Sequence, residues 1–398
     1  MYSRLLVLIT LCATPFAFAH AGFSPERLAR MQQAIEAMTA RQEYAGINVV
    51  LAGHDQTIFA ESFGHRDRED SRPMQPDTIF WIASMTKPVT AVAVMMLYEE
   101  GRFLLEDPVA KYLPGFAGIQ VLADEADPSG QTMPAVRPIT IRHLLTHTSG
   151  LFNFKGYPPA NMHSELTLEN WVKAAAAAPL SHQPGEAWRY GMSYEILARL
   201  VEIWSGRPFD AFLKERIFQP LNMPDTYFYV PADKITRLAK TYRLSAQGTV
   251  EPLERKSVPH QTPAFLSGGG GLFSTIGDFQ RFAQMLLNGG SLGEKHLLSP
   301  TTVDYMFQNH VPADVMGPNG PNGRKGFGMG LGGYVLVDPA AYEDLSVKGE
   351  FNGAGADGTY YWIDRQNGLI GLWFAARFPQ VQTTLKRFKV LTYQALEN

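Results

Sequence analysis

The 398-residue sequence predicts an α+β protein: one antiparallel sheet flanked by helices, with a mainly helical lobe inserted between its parts. Three observations lead there. A helical pattern and two strand patterns open the chain, helical patterns broken by Pro and Gly fill its middle, and hairpin-spaced strands with a last helix close it.

The first residues combine Arg4, an apolar run from Leu5 to Cys12, and small residues at Ala17, Ala19 and Ala21. This is the pattern of a secretory signal, here residues 1–19, whose cleavage would leave a periplasmic or secreted protein. The run is short for a membrane span, which needs ~20 residues, so no stable span is expected after cleavage. Cys12 is the only cysteine, so the mature chain would hold no thiol, which excludes disulfides, thiol catalysis and Cys-based metal sites. Leu11 is bulky where lipid attachment at Cys12 would need a small neighbour, which weighs against that modification without deciding it.

From Pro25 to Arg41, Leu28, Met31, Ile35 and Met38 recur at helical spacing, and strands are expected at Ile47–Ala52 and Thr57–Phe63. The charged stretch His65–Arg72 leads to the apolar Thr78–Ala83, which delivers the chain to Ser84. A helix from Ser84 to Glu100 follows, with Val89, Val92, Ala93, Met96 and Leu97 on one side and Gly101 as its stop. Pro88 is tolerated there because first-turn amides lack an intrahelical acceptor. Further helices are expected at Ile141–Thr146, Trp171–Ala178 and Met192–Trp204. Beyond them Gly268–Gly271 permits close backbone approach and precedes a helix from Ile276 to Leu287. Strands are expected at Met329–Val337, Thr359–Asp364 and Gly368–Phe374, the Gly317–Gly326 stretch as a loop, and a final helix at Thr383–Leu396. The resulting division is a sheet lobe from residues 22–83 and 207–398 and a helical lobe from residues 84–206.

With 45% hydrophobic and 18% charged residues, the chain can bury a sizeable core. Its 35 basic and 38 acidic residues leave a net charge of −3 without a dense basic run, which argues against nucleic acid as a partner.

The chemistry concentrates at Ser84-Met85-Thr86-Lys87. A spacing of three on a helix sets hydroxyl and amine one turn apart on one face, where they can share a proton. A serine hydroxyl needs such a base to attack a carbonyl at neutral pH, and the positive end of the helix favours a developing oxyanion. Tyr190, in the loop Pro184–Tyr194, is the second candidate, because a phenol beside cations can also act as base toward the serine. Alone, a Ser-x-x-Lys match arises often by chance, and a tyrosine at a lobe interface is ordinary packing.

Together these residues resemble the serine β-lactamase-like, penicillin-recognising hydrolases, especially the class C-like branch with its family VIII carboxylesterases. The landmarks stand in that family's order: Ser84–Lys87, Leu144-Leu145-Thr146-His147-Thr148-Ser149-Gly150-Leu151, Pro184-Gly185 before Tyr190, Gly269–Thr275 and Thr359–Asp364. The resemblance implies a β-lactamase/transpeptidase-like fold, an acyl-enzyme on Ser84, proton handling by Lys87 and Tyr190, and an oxyanion hole that uses the Ser84 amide and one near Gly355 or Ala356. Two departures matter. Met192 stands where lactamases carry a side-chain amide, and Gly353-Ala354-Gly355 is the best counterpart of the family's Lys-Thr-Gly strand. A one- or two-residue shift would bring Phe351 or Asn352 there instead, and Lys348 lies close enough to reach in. Loss of that cation removes a clamp for the carboxylate of a β-lactam or peptide terminus.

His143 and His147 have a spacing that can hold zinc, but no glutamate adjoins either, and His147 reads better as a buried support of the site floor; a Ser-His-Asp triad remains the minor alternative. Phe152–Tyr157 and Trp188 are candidate aromatic walls. The expectation is an exported serine hydrolase of small esters or amides, with no cofactor and no metal. Alternatives are a D-amino-acid-specific cell-wall peptidase or a non-catalytic muropeptide- or protein-binding relative. Natural substrate and oligomeric state stay open.

Overall fold

The structure is a computed structural model and describes residues 22–127, 130–151, 166–245, 248–254 and 258–397. The expected signal segment, Cys12 and the Phe152–Tyr157 loop lie outside the described residues.

An eight-stranded antiparallel sheet organises the molecule. Its strands are β1 (Gly46–Ala52), β2 (Thr57–Asp67), β3 (Arg72–Pro73), β4 (Phe327–Met329), β5 (Tyr334–Leu336), β6 (Phe351–Ala354), β7 (Thr359–Asp364) and β8 (Leu369–Ala375). They lie in the order β4-β5-β6-β7-β8-β1-β2-β3, so the two ends of the chain meet where β1 pairs with β8, Val49 opposite Trp373.

Successive strand residues point to opposite faces, and here both faces are covered. Ile47, Val49, Leu51, Trp362 and Trp373 pack under α1 (Pro25–Ala40) and the C-terminal helix Gln382–Tyr393. Val50, Tyr361, Ile363, Leu372 and Phe374 face the larger core, which runs on without a break into the helices of the middle of the chain. This double coverage is why β1 and β8 are buried along their whole length and apolar but for Asn48 in β1.

In that larger core lie α2 (Thr86–Glu99), α3 (Ser193–Ser205) and α4 (Ile276–Leu287). Every residue of α2 from Thr86 to Leu97 is buried, so the apolar side expected of it is in fact its whole circumference. Three further expectations change. The charged stretch after Phe63 continues β2 to Asp67 before turning back at Arg72 into the edge strand β3, because residues beside a sheet edge can carry charge on a solvated face. The single strand expected at Met329–Val337 is a hairpin, bent at Gly330–Gly333. Phe351–Ala354 is a paired strand in its own right. Among the described residues no helix is long and apolar enough to cross a membrane.

Candidate active site

Ser84 stands where a short strand meets the central helix. Ile79–Trp81 pairs antiparallel with Phe273–Thr275, and the Ile82 amide donates to the Leu272 carbonyl at 3.0 Å. Ala83 then adopts a left-handed backbone, φ 45°, a costly conformation for a residue with a Cβ. The reversal starts the turn Ala83–Met85 that runs into α2, and leaves Ser84 half-buried among buried neighbours. Its amide sits in the first turn, where N–H groups have no intrahelical acceptor.

One turn on, the Lys87 ammonium donates to Ser84 Oγ at 3.3 Å and to the Gly269 carbonyl at 2.6 Å. The Tyr190 hydroxyl donates to Ser84 Oγ at 2.7 Å. Lys87 Nζ also lies 4.7 Å from the Tyr190 ring centroid and 5.8 Å from that of Tyr194, a cation–π arrangement that holds the charge in a nearly closed site. The three side chains singled out from the sequence are therefore within mutual reach.

Tyr190 is placed by two loops that bond to each other. Gly185 donates its amide to the Thr148 carbonyl at 2.8 Å and Arg189 to the His147 carbonyl at 2.9 Å, which binds the Pro184–Tyr190 stretch along the Leu144–Leu151 stretch. The His147 ring stacks against Tyr190 with centroids 4.7 Å apart, and its Nδ1 accepts from the Gly191 amide at 3.4 Å. Burial first, and then the charge of Lys87, hold the His147 imidazole well below the usual histidine value, so it is neutral. It stands behind Tyr190 and forms no bond to Ser84 among the described residues, which removes the Ser-His-Asp alternative. His143 instead caps its own short helix, accepting from the Thr140 amide at 3.2 Å. Among the described residues no three His, Cys, Asp or Glu side chains converge as a metal site would need.

The glycine run supplies the opposite wall. A Cβ on Gly268 would stand 2.3 Å from the Tyr194 carbonyl, and one on Gly271 2.7 Å from the Phe228 ring. This close approach lets the Gly268 carbonyl accept from Thr90 Oγ1 at 2.7 Å, the Gly269 carbonyl from Lys87, and the Gly270 carbonyl from Trp81 Nε1 at 2.7 Å.

The strand expected to flank the site is less uniform. The Gly355 amide donates to the Thr359 carbonyl at 2.8 Å, so it is not free to receive an oxyanion. Ala356 is exposed, and its amide has no acceptor among the described residues. Gly353 is covered: a Cβ there would meet the Tyr361 ring at 2.7 Å, so Tyr361 fills the space where the family carries a lysine. Phe351 is stacked on Phe307 at 4.2 Å and Asn352 is buried, donating to Glu350, so neither takes that place. Lys348 lines a surface cavity with Asp304, Phe307 and Arg365 rather than the Ser84 site. Met192 is half-buried at the start of α3 and packs against the main core. Trp188 is buried against Val311 and Met329, beside Tyr190, Val315, Met316 and Tyr334, which gives the site an apolar flank.

Sequence reading missed Glu195. It lies in the first turn of α3, where an acidic residue reads as a complement to the helix dipole. It is 2% exposed and accepts from Ser267 Oγ at 2.7 Å and the Gly269 amide at 3.2 Å.

The geometry can carry a proton from Ser84 Oγ to Tyr190 or Lys87 while an amide at the helix start faces the developing oxyanion. Known proteins resemble the chain over most of its length. The sequence model of the family described as Beta-lactamase matches residues 31–394. Esterase EstB of Burkholderia gladioli is 30% identical over 372 residues, covering 86% of this chain and 88% of that protein. Protein Rv1367c of Mycobacterium tuberculosis is 36% identical over 350 residues, covering 85% and 87%. Among solved structures, EstCE1, a hydrolase with promiscuous acyltransferase activity, superposes with a TM-score of 0.78 at 26% identity, covering 92% of this chain and 99% of that one. Simvastatin synthase LovD of Aspergillus terreus superposes with a TM-score of 0.76 at 25% identity, covering 92% and 98%. The chain belongs to the beta-lactamase family, among its serine-hydrolase-like esterases and acyltransferases of the same fold.

Proposed function

We propose that this protein is an exported serine hydrolase that cleaves small, uncharged esters through an acyl-enzyme on Ser84. The observation that carries the reading is the pair of contacts to one oxygen: Tyr190 at 2.7 Å and Lys87 at 3.3 Å from Ser84 Oγ. Once the Tyr190–Lys87 pair has given up one proton to solvent, Ser84 Oγ attacks the acyl carbonyl as its own proton takes the vacant place. The carbonyl oxygen, now an oxyanion, is received by the amides of Ser84 and Ala356. The pair returns the proton to the leaving oxygen and the alcohol departs. A water molecule then repeats the sequence on the acyl-enzyme, releasing the carboxylic acid and restoring Ser84. An alcohol in place of water gives acyl transfer, the activity that the name of EstCE1 records for that relative.

The flank of Trp188, Tyr334, Val315 and Met316 suits an apolar acyl or alcohol group, and the side chain over Gly353 is a neutral tyrosine rather than a lysine. Both favour esters over carboxylate-bearing lactams or D-peptides. Export rests on the N-terminal pattern Arg4, Leu5–Cys12 and Ala17–Ala21.

The test compares initial rates on p-nitrophenyl butyrate and nitrocefin for the mature protein and Ser84→Ala. Fast ester cleavage that disappears in the variant supports the reading, and lactam turnover exceeding ester turnover overturns it. N-terminal sequencing of protein recovered outside the cytoplasm tests export, and an intact Met1 there would refute cleavage.

A further inference from the structure

Lys87 forms no ion pair at contact distance among the described residues, yet it is buried together with a carboxylate that lies one residue's width away. That carboxylate is Glu195, and the link between them is Gly269. The Gly269 amide donates to Glu195 Oε1 at 3.2 Å, and the Gly269 carbonyl accepts from Lys87 Nζ at 2.6 Å. Ser267 Oγ donates to the same carboxylate oxygen at 2.7 Å. A Cβ on Gly269 would stand 2.7 Å from Oε1 and 3.1 Å from Oε2, so a side chain at this junction would push the carboxylate off the amide.

We propose that Glu195 is the positioning residue and counter-charge of the nucleophile: through Gly269 it fixes the carbonyl that aims Lys87 at Ser84, and its negative charge balances the ammonium. The inference rests on Ser84 acting as the nucleophile.

The surroundings leave these two as the charged pair. From α2 comes Lys87; from α3 and its approach come the phenols of Tyr190 and Tyr194; from the Leu144–Leu151 stretch comes His147, which is neutral; and the 267–271 turn brings only Ser267 and backbone. Burial pushes the Glu195 carboxyl above its usual value, while Lys87, the Ser267 hydroxyl and the Gly269 amide pull it back. The two donors on Oε1 and the nearby Lys87 charge favour the ionised form against that burial.

The sign of the effect follows. The negative charge stabilises the protonated Ser84–Lys87–Tyr190 unit, whereas catalysis needs that unit to accept a proton. Removing the charge therefore moves the acid limb of kcat/KM to lower pH, and loosening the carbonyl lowers the rate itself.

The experiment measures kcat/KM for p-nitrophenyl butyrate and the rate of fluorophosphonate labelling, between about pH 5 and 9, for wild type, Glu195→Gln and Glu195→Asp. The expected result for Glu195→Gln is a loss of about 10–100-fold in kcat with KM little changed, and an acid limb lower by about one unit. Glu195→Asp, which keeps the charge on a shorter stem, retains the wild-type limb at a reduced rate. A Glu195→Gln limb that coincides with wild type overturns the proposal, as does a rate loss that matches the fraction unfolded. Should Glu195→Gln fail to fold, a displaced limb in Glu195→Asp overturns it equally. Wild type that takes no label overturns the nucleophile assignment as well, which separates that failure from failure of the Glu195 role alone.

Discussion

Tyr190→Phe isolates proton transfer from packing. The phenylalanine ring keeps the tilted contacts with His147 at 4.7 Å and Trp188 at 6.3 Å and the face that Lys87 approaches at 4.7 Å. Only the 2.7 Å bond from the hydroxyl to Ser84 Oγ is removed. General acid–base groups contribute about 10²–10⁴ in rate, so kcat/KM should fall by that factor, equivalent to about 3–5 kcal/mol of transition-state stabilisation. Folding loses one hydrogen bond of about 1 kcal/mol, because Lys87 remains bonded to both Ser84 and Gly269. In a chain of this size that lowers Tm by no more than about 2–4 °C. The assay is ester hydrolysis under kcat/KM conditions, with thermal unfolding and fluorophosphonate labelling on the same samples. A variant within tenfold of wild type would refute the role assigned to Tyr190, and a rate loss explained by an equal loss of folded protein would refute the argument that the hydroxyl acts chemically.

Three further perturbations test the structure around the site. Lys389 is buried with its Nζ 2.7 Å from Asp344 and 2.6 Å from Glu350, so Lys389→Met strands two buried carboxylates and should cost about 3–5 kcal/mol in denaturant unfolding, part of it recovered by adding Glu350→Leu; an unchanged midpoint would show that the cluster contributes nothing. Burial holds His143 down at about 4, below the usual 6.5, so the unfolded chain binds the proton more readily. The stabilisation from keeping it neutral is therefore intact above about pH 6.5 and lost as pH falls toward 4, by on the order of 3 kcal/mol, and His143→Asn should flatten that part of the stability–pH curve; parallel curves for both proteins would reject it. At Gly353 an added Cβ meets Tyr361 at 2.7 Å, so Gly353→Ala should lower stability by about 1–3 kcal/mol, and a variant as stable as wild type would mean that Tyr361 does not occupy that space firmly.

Local chemistry in the sequence determined a good deal by itself. Helical spacing of Leu28, Met31, Ile35 and Met38 specifies α1, mostly apolar runs specify β1 and β8, and Ser84-x-x-Lys87 places two functional groups one turn apart wherever that helix goes. These depend on neighbours within a few positions, which a linear reading can weigh. Tertiary structure alone decided the rest, because it depends on partners far apart in the chain. Tyr190 meets Ser84 across 106 positions, and Lys87 meets Gly269 across 182. The Met329–Val337 pattern became a hairpin because the chain reverses at Gly332, whose φ of 106° lets it lie against Pro88 and Ala91 of α2, and Gly353 lost its role as a lysine's substitute because Tyr361 from the next strand lies over it. Glu195 shows the reason most plainly. In sequence it is an ordinary first-turn acid; it becomes a buried counter-charge only because the Gly268–Gly271 turn folds against α3 closely enough to exclude water and to hand its amide to the carboxylate.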